Sequence, residues 1–161
     1  MKNTAIYPGS FDPITNGHID IIERASRIFG GVVVAVLNND EKKHLFPVAE
    51  RLAFLRASLK HLPNTVIKTF DGLLVNFAEK CGTNLIIRGL RMVSDFDYEF
   101  QMTLTNRQLN PDLETVFLMT DAKYSFLSSS LVRQVASFRG KIGHLAPPAA
   151  AAALKKKFGG K

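Results

Sequence analysis

The sequence has few of the residues on which many protein chemistries depend. It contains one cysteine, Cys81, and no tryptophan, so an internal disulfide framework is excluded. Cys81 has no obvious activating base and is interpreted as a core thiol. The histidines are scattered and give no zinc-type spacing. No apolar run is long enough to span a bilayer, and the N-terminus lacks a signal-peptide profile. These absences predict a soluble, cytoplasmic protein with no membrane partner.

Two familiar phosphate-binding patterns are also missing. The chain contains neither G-x-x-x-x-G-K-[ST] nor G-x-G-x-x-G. The first pattern cradles nucleotide phosphates in P-loop proteins, and the second marks dinucleotide-binding folds. A P-loop kinase and a dinucleotide-dependent dehydrogenase are therefore disfavoured.

Positive charge is concentrated at the C-terminal end. The formal net charge is +7, and it falls to +3 without Lys155, Lys156, Lys157 and Lys161. Alanine and lysine favour helix, so about 149–161 is predicted to be a solvated terminal helix and basic tail. The internal basic residues suit a small polyanion better than a nucleic acid, so no nucleic-acid partner is expected.

A chain of 161 residues is most simply one domain, spanning 1–161. Short apolar segments alternate along it with amphipathic ones. This alternation predicts an α/β fold, a doubly wound five-stranded parallel sheet with helices on both faces. The predicted strands cover 2–7, 32–37, 65–70, 84–87 and 115–118, and the predicted helices lie between and after them.

The first predicted strand leads into a turn, residues 8–16, that is rich in Pro, Gly, Ser, Asp and Asn. We call this segment the first turn. Thr15 or Asn16 can cap the helix that follows, which places Gly17 and His18 in its first turn. A helix N-terminus exposes free N–H groups, and a glycine lets a ligand approach the backbone. With the Ser10 hydroxyl, this turn is predicted to bind phosphate. A plain strand-to-helix connection is the simpler interpretation and stays open.

Further polar residues follow other predicted strands. They are Lys42, Arg88 with Arg91, and the run Ser128–Ser130, which also opens a helix. Carboxyl ends of parallel strands share one edge of a sheet, so these side chains are expected to converge with the first turn. Taken singly, each is more simply a surface charge or a helix cap. Asp95, Asp97 and Glu99 are either a general acid/base group or a solvated or ion-paired face.

The combined motifs resemble a known family. Gly9-Ser10-Phe11-Asp12-Pro13 with Thr15-x-Gly17-His18 is similar to the signature of the nucleotidyltransferase superfamily. Within that superfamily the chain resembles the bacterial phosphopantetheine adenylyltransferases from about Ala5 to Val135. The motifs that narrow the resemblance are Arg88-Gly89-Leu90-Arg91, Asp95-Phe96-Asp97-Tyr98-Glu99, Asn106 and Tyr124-Ser125-Phe126-Leu127-Ser128-Ser129-Ser130.

The resemblance implies a Rossmann-like nucleotidyltransferase fold and a reaction. The family transfers AMP from ATP to 4′-phosphopantetheine with Mg²⁺, giving dephospho-coenzyme A and pyrophosphate. It also implies a homohexamer and coenzyme A as a feedback ligand. By position, His18, Lys42, Ser10 and Arg91 match catalytic roles, and no residue is assigned to metal binding.

The binding residues implied by the resemblance fall into two groups. Those on the ATP side are Ser10, Phe11, Gly17, His18, Gly89, Leu90, Arg91, Glu99, Tyr124, Ser125, Phe126, Leu127, Ser128, Ser129 and Ser130. Those on the phosphopantetheine side are Ser10, Lys42, Leu73, Leu74, Arg88 and Asn106.

Other functions stay open from the sequence. A sister nucleotidyltransferase with another phosphorylated acceptor, such as a nicotinate mononucleotide or glycerol-phosphate enzyme, shares the first turn. A nucleotide- or RNA-binding module without turnover is a second possibility, although the intact polar residues argue against it. A class I aminoacyl-tRNA synthetase is disfavoured because the chain is short and has no K-M-S-K-S run.

Overall fold

The computed structural model describes residues 3–38 and 43–159. Five parallel strands form one sheet, and all five predicted strands are present within a few residues. The strands are β1 (Thr4–Gly9), β2 (Gly31–Leu37), β3 (Thr65–Phe70), β4 (Leu85–Leu90) and β5 (Glu114–Met119).

Six α-helices accompany the sheet in the described parts of the chain. They are α1 (Asn16–Ile28), α2 (Val48–Leu59), α3 (Leu74–Cys81), α4 (Val93–Leu109), α5 (Ser129–Ser137) and α6 (Pro148–Phe158). A short 3₁₀-helix, Ala122–Tyr124, precedes α5.

The strand order is β3-β2-β1-β4-β5. The chain therefore moves outward in one direction from β1 and then returns to add β4 on its other side. Such a reversal opens a crevice at the carboxyl ends of the two central strands, where open α/β sheets bind ligands. The prediction of a doubly wound parallel sheet is confirmed.

Apolar side chains on both faces of the central strands explain the layers. Alternate residues of β2, such as Val34 and Val36, pack with α1, α2, α5 and α6 in one core cluster. Val33 and Ala35 point to the opposite face, where they pack with α3. Strands buried on both faces have the continuous apolar sequence that β2 shows.

The end of β4 lies later than the sequence predicts. The predicted strand stops at Ile87, but the observed strand continues to Leu90 and includes Arg88 and Gly89. Pairing with β5 explains the difference, since Arg88 pairs with Phe117 and Gly89 with Leu118. Arg88 is thereby held on a rigid strand.

The terminal helix is not a solvated end, and that prediction is wrong. In α6, Ala150 and Leu154 are fully buried and Ala151 is nearly so. These side chains join the core cluster that contains α2 and α5. The apolar positions repeat every three or four residues, so one face packs while the lysines occupy the other. The part of the predicted tail at 160–161 lies outside the described residues.

Helix α4 packs differently from the others, because none of its residues is buried. Phe96 contacts Phe117 of β5, with ring centroids 6.0 Å apart. Even so, Val93, Phe100 and Leu104 remain exposed. The described chain thus leaves an apolar surface along α4, which we call the α4 surface and define by Val93, Phe96, Phe100 and Leu104.

Candidate active site

A cleft of about 440 Å³ opens where β1 and β4 end. The turn after β1, the start of α1, the end of β4, the first half of α4 and the start of α5 all border it. Eleven of the sequence-predicted site residues line it: Ser10, Phe11, Gly17, His18, Arg88, Gly89, Arg91, Glu99, Leu127, Ser128 and Ser129. The expected convergence of the first turn, the arginines and the serines is therefore observed.

The imidazole of His18 is fixed by the cap of α1. Thr15 is the N-cap residue: its hydroxyl accepts a hydrogen bond from the backbone N–H of His18, while its own N–H donates to Nδ1 of His18. This is a capping box in which histidine takes the place usually held by Glu or Gln. Since Nδ1 accepts from a backbone N–H, the proton of the neutral ring lies on Nε2. The cap therefore offers an Nε2–H donor.

His18 is held neutral at physiological pH. Burial, together with the smaller effects of the nearby Arg91 and Arg88 charges, lowers the pKa of His18 from 6.5 to about 4. Burial also raises the pKa of Tyr7, on the same side of the cleft, to about 12. Both groups thus supply hydrogen bonds rather than charge in the absence of a ligand.

Arg88 reaches the cleft from β4 and is paired with Glu99 of α4. Its Nε and Nη2 donate to the two carboxylate oxygens of Glu99 at 2.6 and 2.5 Å, and Nη1 donates to the carbonyl of Pro8 at 2.9 Å. Burial opposes ionisation, but the hydrogen bonds and charge of Glu99 raise the pKa of Arg88 overall. A guanidinium has five N–H groups, so two remain for a ligand.

Arg91, which directly follows β4, forms a similar pair with Asp95, one turn before Glu99 in α4. Its Nε and Nη2 donate to Asp95 at 3.0 and 2.9 Å, and Nη1 donates to the carbonyl of Leu127 at 2.9 Å. Although burial opposes it, the hydrogen bonds from Arg91 lower the pKa of Asp95. Asp95 and Glu99 therefore form ion pairs and Asp97 is exposed, as expected for a solvated or ion-paired face.

The serine run opens α5 as predicted. Ser128 is the N-cap residue, with its hydroxyl accepting from the N–H of Leu131 at 3.0 Å. Ser129 Oγ donates to the carbonyl of Pro13 at 2.7 Å, which ties α5 to the first turn. The starts of α1 and α5 consequently border the same cleft.

Lys42 lies outside the described residues. Eight predicted site residues that are described do not line the cleft: Leu73, Leu74, Leu90, Asn106, Tyr124, Ser125, Phe126 and Ser130. Tyr124 nevertheless packs close to the start of α1, since a Cβ built on Gly17 would lie 3.5 Å from Cβ of Tyr124.

The structure adds cleft residues to which the sequence analysis assigns no role. They are Tyr7, Ile21, Ser94, Tyr98 and Thr120. Tyr98 belongs to the motif at 95–99, and strand alternation was the available signal for Tyr7, because residues 7 and 9 share a face of β1. Ser94 and Thr120 have no such signal, since their place depends on how α4 packs on the sheet and on where β5 ends.

The described residues contain no group of three or more His, Cys, Asp or Glu side chains able to hold a metal ion. The two carboxylates that line the cleft, Asp95 and Glu99, are each paired with an arginine. In the described ranges no helix is both long and apolar enough to cross a membrane.

Comparison with known proteins identifies the family. The family model described as "Cytidylyltransferase-like" matches residues 6–135. Phosphopantetheine adenylyltransferase of Dictyoglomus thermophilum is 56% identical over 155 residues, which cover 96% of this chain and 94% of that protein. The chain belongs to the phosphopantetheine adenylyltransferase family. The family member from Caldanaerobacter subterraneus subsp. tengcongensis is 53% identical, with 96% of each chain covered.

More distant nucleotidyltransferases share the fold of this phosphopantetheine adenylyltransferase family member. Nicotinic acid mononucleotide adenylyltransferase of Plasmodium falciparum, solved with NaAD, superposes with a TM-score of 0.68 at 16% identity. The superposition covers 98% of this chain and 96% of that one. At this identity the likeness concerns the fold, and it confirms the Rossmann-like nucleotidyltransferase architecture.

Proposed function

We propose that this protein transfers the adenylyl group of ATP to 4′-phosphopantetheine. A phosphate oxygen of the acceptor attacks the α-phosphorus of ATP, the bond from that phosphorus to the bridging β-oxygen breaks, and pyrophosphate leaves. The products are dephospho-coenzyme A and pyrophosphate. The observation that carries the proposal is the meeting of His18, Arg88, Arg91 and two helix N-termini in one cleft of a chain 56% identical to a phosphopantetheine adenylyltransferase.

The reaction needs no general base. A phosphate monoester has a second pKa near 6, so the attacking group is largely dianionic at neutral pH. The barrier lies in bringing two polyanions together and in stabilising charge on the α-phosphate, so positioning and electrostatics supply the catalysis. A neutral His18 with its proton on Nε2 suits this role as a hydrogen-bond donor to the α-phosphate oxygens.

The arginines divide between the two substrates. Arg88 retains two free N–H groups and is assigned to the incoming phosphate of phosphopantetheine. Arg91 lies beside the start of α5 and is assigned, with Ser128 and Ser129, to the β- and γ-phosphates of ATP. Each guanidinium is already paired with a carboxylate, so its main contribution is directed hydrogen bonding rather than unpaired charge.

The remaining predicted roles are part of the proposal. Ser10 is assigned to orienting oxygens of both substrates, and Lys42 to the charge that develops on the α-phosphate. Leu73, Leu74 and Asn106 are assigned to the pantetheine arm. Support for the arm comes from the packing of α3 on α4, which brings the two elements bearing these residues together.

Mg²⁺ is proposed as the ion that accompanies ATP. Mg²⁺ keeps several waters and binds mainly to substrate phosphates with one or two carboxylates, so it does not need an all-protein cage. The cleft offers two carboxylates, Asp95 and Glu99, each already paired with an arginine, so the triphosphate would supply most of the ligands. When bound, the ion would neutralise part of the triphosphate charge.

A coupled pyrophosphate assay tests the proposed function. ATP and 4′-phosphopantetheine with Mg²⁺ should release pyrophosphate, and chelation with EDTA should abolish release until Mg²⁺ is restored. Nicotinate mononucleotide and glycerol phosphate serve as rival acceptors. Release with a rival acceptor but not with phosphopantetheine would replace this assignment by a sister nucleotidyltransferase. Salt-dependent RNA binding without turnover would favour a binding module instead.

Self-association is also proposed, with a homohexamer as the expected assembly. Support comes from the α4 surface, because exposed contiguous apolar side chains mark contact sites on proteins. Sedimentation equilibrium should give six protomers for the native chain and fewer for Phe100→Asp. A monodisperse monomer at assay concentrations would contradict this.

Coenzyme A is proposed to bind the same cleft, because it contains both the phosphopantetheine arm and an adenylate group. Calorimetric titration should then show that coenzyme A and ATP compete. A cytoplasmic location, where ATP is available, is part of the same proposal.

A further inference from the structure

Phe11 adopts a backbone conformation that a bulky residue rarely takes. Its φ is +47°, in the left-handed region, yet its ring is 98% buried against Tyr7 and His18. Such strained residues persist only when their surroundings fix them, and they cluster at functional sites. Phe11 and its neighbour Ser10 both line the cleft, so the contacts that hold this turn bear on the site.

One contact comes from Arg51 of α2, which is 1% exposed. Its Nη1 donates to the carbonyl of Ser10 at 2.7 Å and to the carbonyl of Leu37, at the end of β2, at 3.1 Å. Its Nε is buried with no described partner. Arg51 does not line the cleft. A buried guanidinium is costly to keep, and here its hydrogen bonds go to one carbonyl in the turn after β1 and to one at the end of β2.

The second contact comes from Asp12, which is 3% exposed. Its Oδ2 accepts from the backbone N–H of Leu45 at 2.7 Å, and Oδ1 accepts from that of Phe46 at 3.0 Å. Oδ2 also lies 3.6 Å from His44 Nδ1 and from Arg133 Nη1. Asp12 therefore links the first turn to residues 44–46, just before α2, and to Arg133 of α5.

We propose that Arg51 and Asp12 are positioning residues that hold the Ser10–Phe11 turn in its strained conformation. Arg51 fixes the carbonyl on one side of Phe11, and Asp12 fixes the residue on the other. The backbone between them is left with one orientation, which directs the Ser10 side chain to the cleft. The catalytic part of this inference rests on the proposed function, and the structural part does not.

Kinetics of Arg51→Met and Arg51→Lys form the first arm of the test, with Arg56→Met as the control. Arg56 lies on the same helix but is exposed. A displacement of about 1 Å at a site costs about 10²-fold in rate, so Arg51→Met should lower kcat by about 10–100-fold while Arg56→Met stays near wild type. Arg51→Lys keeps a donor on a shorter side chain and should recover part of the loss.

Amide hydrogen exchange forms the second arm and does not depend on turnover. Asp12→Asn replaces one carboxylate oxygen by an NH₂ group that cannot accept, so at least one of the Leu45 and Phe46 amides should exchange at least ~10-fold faster. In Arg51→Met the segment 9–13 should exchange faster, while β5 remains as in wild type. Asp71→Asn, an exposed change, should alter neither.

The outcomes distinguish a positioning role of Arg51 and Asp12 from a purely structural one. Faster exchange with a lowered kcat supports the positioning role. Faster exchange in folded variants whose kcat stays within twofold of wild type overturns it and leaves only structural anchors. Unchanged exchange overturns the anchoring itself. If Arg51→Met does not fold, Arg51→Lys and Asp12→Asn decide by the same criteria. A wild-type protein that releases no pyrophosphate contradicts the proposed function, while the exchange arm still tests the anchoring.

Discussion

The backbone nitrogen of Thr15 lies 3.0 Å from Nδ1 of His18, and this hydrogen bond determines which ring nitrogen carries the proton. The same two residues form the N-terminal cap of α1. Helix initiation and the orientation of the candidate catalytic imidazole are therefore one structural event. The T-x-G-H spacing encodes this cap, because the N-cap residue Thr15 and the N3 residue His18 are three positions apart, as a capping box requires.

Replacing His18 by alanine should lower kcat by about 10²–10³, the usual effect of losing one transition-state donor. The physical reason is the loss of the Nε2–H that the cap fixes. Steady-state pyrophosphate release measures it, with the surface variant His61→Ala as the control. Activity of His18→Ala within a few-fold of wild type would remove His18 from this role.

Thr15→Val should show how far the Thr15 side chain, rather than its backbone, orients the imidazole. The variant loses the hydroxyl that accepts from the His18 N–H and lies 3.1 Å from Nδ1, so unfolding in urea should show a loss of about 1 kcal/mol. The backbone N–H of residue 15 still donates to Nδ1, so kcat should change by only a few-fold. A drop in kcat as large as that of His18→Ala would mean that the hydroxyl, not the backbone, orients the ring.

The pH behaviour of His18 follows from its lowered pKa. An NMR titration of the ligand-free protein should place the pKa of His18 at about 4, and Arg91→Gln should raise it. Because the unfolded chain takes up this proton near pH 6.5 and the folded chain only near 4, stability should fall as pH drops through that window. His18→Asn should lack this component. A His18 pKa near 6.5 would contradict the assigned burial.

Arg88→Ala should weaken phosphopantetheine binding more than ATP binding, because Arg88 is assigned to the acceptor phosphate. It also leaves Glu99 without its partner, so a second variant, Arg88→Lys, keeps a cation beside that carboxylate. Calorimetric titration of each substrate gives the comparison. A larger loss of ATP affinity than of acceptor affinity would reverse the allocation of the two arginines.

Leu154→Ala should destabilise the protein by about 2–5 kcal/mol, the usual cost of truncating a fully buried leucine. Lys156→Ala, on the exposed face of α6, should change stability by less than about 0.5 kcal/mol. Urea unfolding of the two variants makes the comparison. If both variants lowered the free energy of unfolding by the same small amount, α6 would be a solvated helix, as its composition predicts.

Local patterns predicted most of the architecture. The short apolar strands, the amphipathic helices, the serine cap at residue 128 and the cap of α1 lie where the sequence indicates. Composition misled at α6, because low complexity hides the apolar stripe that Leu154 and the alanines form. The sequence also does not show which strands pair. The extension of β4 through Arg88 was missed for this reason, because it depends on pairing with β5.

What the sequence alone determined is the set of elements and the chemistry of single residues: a capped helix with His18 at its third position, arginines at the end of an apolar strand, and serines at another cap. These follow from short-range physics, in which periodicity and capping act over a few residues. Only the tertiary structure decided that Arg88 and Arg91 meet their carboxylates and that burial keeps His18 neutral. Desolvation and charge pairing depend on which distant segments pack together, and no local pattern encodes them.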